Sequence, residues 1–452
     1  MTSSKYRTMS AVCRKRSLRL CMDYQEWKKQ IKPDKKLRKY QHVDEPINLD
    51  EERSFQKVIR VIEDVRNHQF LPFIKKIENK IRFRRNTEGK TVRKNKPRPI
   101  MYASHIDAHI YSYYNFLLMQ KYENYLEKIN LSKNVIAYRK IRIEGSEKGK
   151  SNVHFAKEVF DYIQSQNDCV VITQDITGFF DNINHKLLKE KICKINGTDK
   201  LDEKVYKIFR SITAYKYINY GDFINKKIKK KTKNNKYAIY KILDGVVNEN
   251  RTNIGIPQGS PISGLLANVY LVDFDNQINT SFPNIYYRRY SDDLIFVCKN
   301  DQKENLLKFI GEKIKESSLT INPTKSYISY FKIVRDIQIC DKVTDGLGNK
   351  TGRNYVDYLG LEFNGDCIYL RKNTVQKLKH KQEKKVLSQL SNTVKQERRR
   401  PRKIKIRMNR SNYFKRASNI INNLGIKKQV LKVTRSRNKI RLAKKSTPNI
   451  NK

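Results

Sequence analysis

"IYYRRYSDDLIFVCKN", residues 285–300, is the stretch on which the reading of the chain turns. Two apolar or aromatic arms flank a tip of Ser291, Asp292 and Asp293, a pattern that predicts a largely buried β-hairpin. Adjacent aspartates at such a tip repel. Two full charges about 4 Å apart do so by about 4 kcal/mol at an effective dielectric near 20. A cation held between them removes that cost.

A third carboxylate is available. "CVVITQD", residues 169–175, is an apolar run short enough for a buried strand, and it ends in Asp175. If that strand lies beside the hairpin, three carboxylates meet at one sheet end and form a hard oxygen site suited to Mg²⁺. Two such ions about 3.5–4 Å apart can activate an attacking oxygen and stabilise a leaving pyrophosphate. An Asp-rich turn without metal is the bland alternative for Tyr-x-Asp-Asp alone. The ordered set outweighs it: the strand ending in Asp175, a Pro257-Gln258-Gly259 loop opening a helix, then the Asp-Asp hairpin.

Composition points to the partner. The 452-residue chain is long enough for a sizeable core, and its formal net charge of +51 exceeds any need of solubility. Nucleic acid is the polyanion such an excess predicts, because each neutralised phosphate releases counterions. No run of about 18 apolar residues exists, so no membrane partner is expected. The N-terminus lacks a continuous apolar segment, which argues against secretion. Seven Cys form no CxxC pair, and a reducing cytoplasm without structural zinc is the plain expectation.

Along the chain, residues 1–54 read as a basic N-terminal extension. Phe55 to Ile81 reads as helix, a break near Pro72, then helix again. A basic hairpin follows, turning around Asn86–Gly89, and then a helix with Ile106, Ile110, Tyr113 and Leu117 on one face. After the 169–175 strand come helices and a Lys-rich run, 224–236, read as a solvated loop or as a nucleic-acid contact. A Gly/Pro loop then opens a helix whose Ile262, Leu265, Val269 and Val272 share a face. Beyond the hairpin, Asp301 is expected to cap a helix with Glu304 completing a capping box and Leu307, Ile310 and Ile314 as its stripe. A strand completes the order. It is that of a ferredoxin-like βαββαβ unit with an insertion at about 186–250. Residues 371–452 hold only two acids, Glu383 and Glu397, among many Lys and Arg, and read as a basic helical domain ending in a tail.

"QDITGFFDNINH", "GIPQGSPISGLLANVYL", "YSDD", "LTINPTKS" and "YLGLEF" resemble consecutive palm motifs of reverse transcriptases, in the bacterial lineage of retron and group II intron enzymes. The resemblance covers roughly residues 90–365. It implies an α+β right-hand polymerase fold: fingers at 55–168, a ferredoxin-like palm at 169–370 and a basic helical thumb with tail at 371–452. It also implies RNA-templated DNA synthesis from dNTPs with two Mg²⁺, for which Mn²⁺ is a substitute.

Carried over residue by residue, the resemblance makes Asp175 and Asp292 the principal metal ligands, with the Ile176 carbonyl, and Asp293 a weaker one. Phe180 matches the steric gate against a 2′-hydroxyl, although a core aromatic is its bland reading. Gln258 resembles the contact to the incoming nucleotide, and Gly259 allows close backbone approach. Lys325 matches a lysine that protonates pyrophosphate; a surface lysine is the alternative. Tyr358, Leu359 and Gly360 resemble the primer grip. Lys96 and Arg98 resemble cations that hold the triphosphate, or they hold template, and the Arg fork suits phosphate better. Two departures stand out: Ser291 occupies a position where Ala is commoner, and Gly264 one where Pro is frequent.

"RPIMYASHIDAHIYSYYNFLL" and "IAYRKIRIEGSEKGKSNVHFAKEVFDYI" look like the fingers of antiphage defence reverse transcriptases, most like the first polymerase of the type 3 systems. That family works with a non-coding RNA and a second reverse transcriptase subunit. A retron or group II-like enzyme, and an RNA-binding scaffold or maturase-like helper with little polymerase activity, are the competing readings. RNA-templated RNA synthesis is a further one, which Phe180 discriminates.

Overall fold

The structure is a computed structural model, and it describes residues 23–31, 38, 40–85, 91–224, 245–371, 374 and 376, with side chains at 80–85 and 91–96 excepted. The expected thumb, the Lys-rich run from 225 and the hairpin turn at 86–90 lie outside the described residues.

A five-stranded antiparallel sheet forms the centre. Its strands are β3 (Cys169–Asp175), β6 (Tyr286–Tyr290), β7 (Asp293–Cys298), β8 (Tyr327–Val334) and β9 (Ile337–Asp345), in the order β6-β7-β3-β8-β9. Helices separate β3 from the β6–β7 hairpin, and the helix Lys303–Glu316 separates that hairpin from β8. This is the expected βαββαβ connectivity, with β9 added at the edge. β3 is central and apolar on both faces: Val170 and Ile172 pack into the main core, Cys169 and Val171 into a second cluster on the opposite side.

A second sheet joins β1 (Phe73–Arg85), β2 (Thr91–Tyr102), β4 (Lys216–Asn219) and β5 (Asn248–Glu249) in the order β2-β1-β4-β5. Here one expectation is overturned. Residues 73–81 form strand, not a second helix, because β1 pairs with β2 over its whole length, from Ile74↔Tyr102 to Arg85↔Thr91. Helical spacing of the Ile and Lys residues was a local signal. The long antiparallel ladder overrides it.

The helix His105–Lys128 is buried nearly all round, with Asp107, His109, Tyr111 and Tyr114 enclosed as well as Ile110 and Tyr113, so the expected single apolar face understates it. The Ile262–Val272 run is two helices, Ser263–Tyr270 and Val272–Ser281, meeting at Leu271. In the helix Lys303–Glu316 the buried stripe is Leu306, Ile310 and Ile314 rather than Leu307, and Asp301 lies in a preceding 3-10 turn without capping it. The first described segment, residues 23–30, is helical. Trp27 is buried against Phe55 and Tyr113.

Three short strands, β10 (Val356–Tyr358), β11 (Leu361–Phe363) and β12 (Ile368–Leu370), form a separate sheet packed on the second cluster. Among the described residues no helix is long and apolar enough to cross a membrane.

Candidate active site

β6 and β7 are joined by the two residues Ser291 and Asp292, since Tyr290 pairs with Asp293. Ser291 has φ +60° and Asp292 does not share it, so the turn carries positive φ at its first position only, as in the type II′ hairpin. Asp293 in turn pairs with Asp175 across β7 and β3. Ile176 donates its N–H to the Asp292 carbonyl at 3.1 Å, holding the strand end against the turn. Asp175 and the Asp292–Asp293 pair, remote from each other in the chain, therefore meet at one edge of the central sheet.

Their electrostatics follow from that meeting. Asp293 is pushed up to about 7, first by burial, then by the charges of Asp292 and Asp175. Asp292 is raised by burial and, less, by the charge of Asp175. Lys325 reaches the set from the 3-10 turn Pro323–Lys325, which is capped by the Asn322 side chain, and its ammonium hydrogen-bonds the Asp175 carboxylate. Among the described residues no three Asp, Glu, His or Cys side chains converge on a common point ready to grip an ion. Lys325 takes up one oxygen of the Asp175 carboxylate, and the three carboxylates share one edge of the sheet. The donor set itself fits a divalent cation: hard carboxylate oxygens, mutually repelling and partly desolvated, which is the environment Mg²⁺ or Mn²⁺ relieves.

The remaining expected residues surround this edge. After β3 the chain turns at Gly178 (φ +54°), where Asn182 bridges the Thr177 and Gly178 carbonyls at 3.1 Å each. That turn presents Phe179 to the core and leaves Phe180 half-buried beside it, ring centroids 5.8 Å apart. The Gly255–Gly259 loop is laced to the same turn by Ile256 N–H to the Phe180 carbonyl at 2.9 Å and Gly255 N–H to the Ile183 carbonyl at 2.8 Å. On its other side the Gln258 carbonyl accepts from Met101 N–H of β2 at 2.8 Å.

Gly259 has φ +117°, and a Cβ there would stand 2.9 Å from the Met101 carbonyl, so close backbone approach is to β2 itself. Gly259→Ala is therefore expected to loosen the docking of the β1–β2 hairpin on the loop, read as faster amide exchange at Met101 with the central sheet unchanged.

Arg98 lies opposite Glu78 in the β1–β2 ladder, and its charge reaches the Tyr138 phenol, which also senses Asp292. Lys96 lies opposite Lys80 in the same ladder; its side chain is outside the described set. Leu359 and Gly360 form a two-residue turn between β10 and β11 with φ +48° and +94°. Tyr358, just before it, is buried with its hydroxyl unpartnered, and its phenol is raised by burial and then by the charge of Asp293. Tyr358 thus lies near the Asp292–Asp293 hairpin.

One part of the site escaped the sequence reading. Arg289 and Asp275 are fully buried and joined through two bonds, Nε to Oδ1 at 2.8 Å and Nη2 to Oδ2 at 2.5 Å. Arg289 also donates to the Asn268 side chain at 3.2 Å and to the Ser291 carbonyl at 3.4 Å, and Tyr287 donates to Asp275 at 2.6 Å. This network lies directly beneath the Ser291–Asp292 turn. Its signal was present: strand alternation in "YYRRYS" turns Tyr287 and Arg289 inward together, and Asp275 sits among Leu271, Val272, Phe274 and Ile278, all buried.

A ferredoxin-like sheet with three carboxylates at one edge, beside the Gly255–Gly259 loop and the β1–β2 hairpin, fits a right-hand polymerase. The family model for reverse transcriptase (RNA-dependent DNA polymerase) matches residues 117–363, more than half of the chain, and the chain belongs to that family of nucleotidyltransferases. No curated protein matches it in sequence. Among solved structures it is similar to apo telomerase from Candida tropicalis truncated from its C-terminal domain, at 12% identity and TM-score 0.35 over 70% of this chain and 60% of that one. It is also similar to the apo telomerase from Candida tropicalis at 12% identity and TM-score 0.38, covering 71% and 52%. Telomerase from Candida albicans in complex with a fragment of telomeric RNA matches at 10% identity and TM-score 0.32, covering 71% and 49%. The matched region spans 60% or less of these telomerase chains.

Proposed function

We propose that the protein is an RNA-directed DNA polymerase that adds dNTPs to a 3′ end. The observation that carries this reading is the register of Asp175 with Asp293, with Asp292 at the adjoining turn. Asp175, Asp292 and Asp293 hold the divalent cations, with the Ile176 carbonyl as a further ligand. When bound, two Mg²⁺ supply activation of the attacking 3′-oxygen and charge stabilisation of the departing pyrophosphate.

The chain's own residues do the rest. Arg98 and Lys96 hold the triphosphate, Gln258 and Gly259 border the nucleotide, and Lys325, which is hydrogen-bonded to Asp175, delivers a proton to pyrophosphate. Tyr358, Leu359 and Gly360 support the primer end. The divisions at 54, 168 and 370 mark extension, fingers, palm and thumb.

Phe180 excludes the 2′-hydroxyl. Its ring is half-buried, packed against the core beside Phe179, and the part left exposed supports this reading. Phe180→Ala is expected to leave dNTP use within about threefold while raising ribonucleotide incorporation about tenfold or more, since a steric clash is worth a few kcal/mol at most. Primer extension with matched dNTP and NTP series reads this. Wild-type use of NTPs equal to that of dNTPs would remove the gate assignment.

The fingers motifs support a narrower reading, a polymerase of antiviral defence that copies a dedicated non-coding RNA alongside a second reverse transcriptase subunit. Four buried free cysteines, Cys169, Cys193, Cys298 and Cys340, suit a reducing cytoplasm. Sequencing RNA and DNA that copurify with the chain tests the template: one abundant RNA with complementary DNA supports the reading, a random pool rejects it.

A further inference from the structure

Tyr138 combines three properties that a packing residue does not need. Its φ is +60°, a conformation rare for L side chains, and its side chain is 49% exposed. The chain on either side is clamped. The Ala137 carbonyl accepts from the Asn268 side chain at 2.7 Å, and Arg139 is paired with Glu123 through two bonds and donates to the Ser132 carbonyl at 2.8 Å. Neighbouring Ile136 and Ala137 are buried. The strained backbone is therefore imposed from both sides, and its effect is to hold one aromatic ring out of the core. Strain of this kind gathers at functional sites.

Where the ring is held is equally specific. A Cβ on Gly264 would lie 2.7 Å from both Cγ and Cδ1 of Tyr138 and 3.1 Å from Cδ2, so one face of the ring rests on that glycine. The residue as a whole is half-exposed. The hydroxyl reaches Ser291 Oγ at 3.4 Å, in the turn between the strands that carry the aspartates. Arg98 and Asp292 are the charged groups within electrostatic reach of the phenol. The ring thus lies between the fingers hairpin and the catalytic turn, and Gly264 is the residue that makes room for it.

We propose that Tyr138 is a stacking platform for a nucleobase at the polymerising end, seated on Gly264 and steadied by Ser291. The proposal rests on the polymerase reading. An aromatic face is tolerant of base identity, so Tyr138 sets affinity and alignment rather than sequence preference. The hydroxyl contact to Ser291 is secondary to the ring.

The test is read in binding, apart from turnover. An RNA–DNA primer–template carrying 2-aminopurine at the templating position, and a second carrying it at the primer terminus, are bound to the full chain with Mg²⁺. Stacking on Tyr138 is expected to quench one of the two probes severalfold. Tyr138→Phe should keep the quench, Tyr138→Leu should lose it at equal melting temperature, and Gly264→Pro, which displaces the ring, should lose it as well. In steady-state extension Tyr138→Leu should raise KM for dNTP or primer–template about 5- to 150-fold, the range of single base–aromatic contacts, with a smaller change in kcat. Equal quenching in wild type and Tyr138→Leu, or none in wild type, overturns the platform. A wild type that quenches but incorporates no dNTP overturns the polymerase reading and leaves the platform standing.

Discussion

Replacing Asp292 and Asp293 together by asparagine is expected to reduce DNA synthesis by about a thousandfold or more while leaving the fold intact. Asparagine is nearly isosteric, so the two-residue turn and its pairing of Tyr290 with Asp293 survive. What is lost is charge. The metal contribution to the transition state is several kcal/mol, and each 1.36 kcal/mol is a factor of ten in rate. Stability should rise rather than fall in the absence of divalent cations, because burial and mutual repulsion already disfavour both ionised groups, Asp293 to about 7. With Mg²⁺ added, the wild type should gain thermal stability and the double variant should not, since only a carboxylate site binds the ion in the folded state. Primer extension and melting curves with and without Mg²⁺ measure both halves. Undiminished incorporation by the double variant would end the polymerase proposal.

The second large effect concerns Arg289 and Asp275. Removing one partner of a fully buried pair strands the other charge, at a cost of about 3–5 kcal/mol. Asp275→Ala is therefore expected to shift the urea midpoint strongly, and Arg289→Met to do nearly as much by stranding Asp275, its bond to Tyr287 notwithstanding. Arg289→Met combined with Asp275→Leu should recover most of the stability, because an apolar pair of similar volume needs no desolvation compensation. Activity should not recover with it. Arg289 also donates to the Ser291 carbonyl, and without that contact the turn carrying Asp292 loses its support from below. A double variant that regained both stability and full activity would show that the pair serves folding alone.

Much of the site was legible because its signals are local. Alternating apolar arms around Asp-Asp predict a hairpin whatever the rest of the chain does, and "CVVITQD" predicts a buried strand ending in a carboxylate. The same locality misled at residues 73–81. There the spacing of Ile and Lys fits a helix, and only the partner strand β2, paired with β1 from Ile74↔Tyr102 to Arg85↔Thr91, turns it to sheet. The helix stripe moved by one residue, from Leu307 to Leu306, for a similar reason: the face that is buried depends on which way the helix lies on the sheet.

Arg289 and Tyr138 mark the other limit. A basic residue in a basic chain carries no sequence signal of burial until its strand is known to turn it toward Asp275. A tyrosine among 27 carries no sign of strain until its backbone is seen at φ +60°. The sequence by itself determined the family, because its motifs place particular side chains in a particular order along strands and turns. Tertiary structure alone decided that Asp175 and Asp293 are register partners, that a buried ion pair braces the turn between them, and that a glycine makes room for an aromatic ring beside it. These are distances between segments remote in the chain, set by packing, and side-chain type does not encode them one residue at a time.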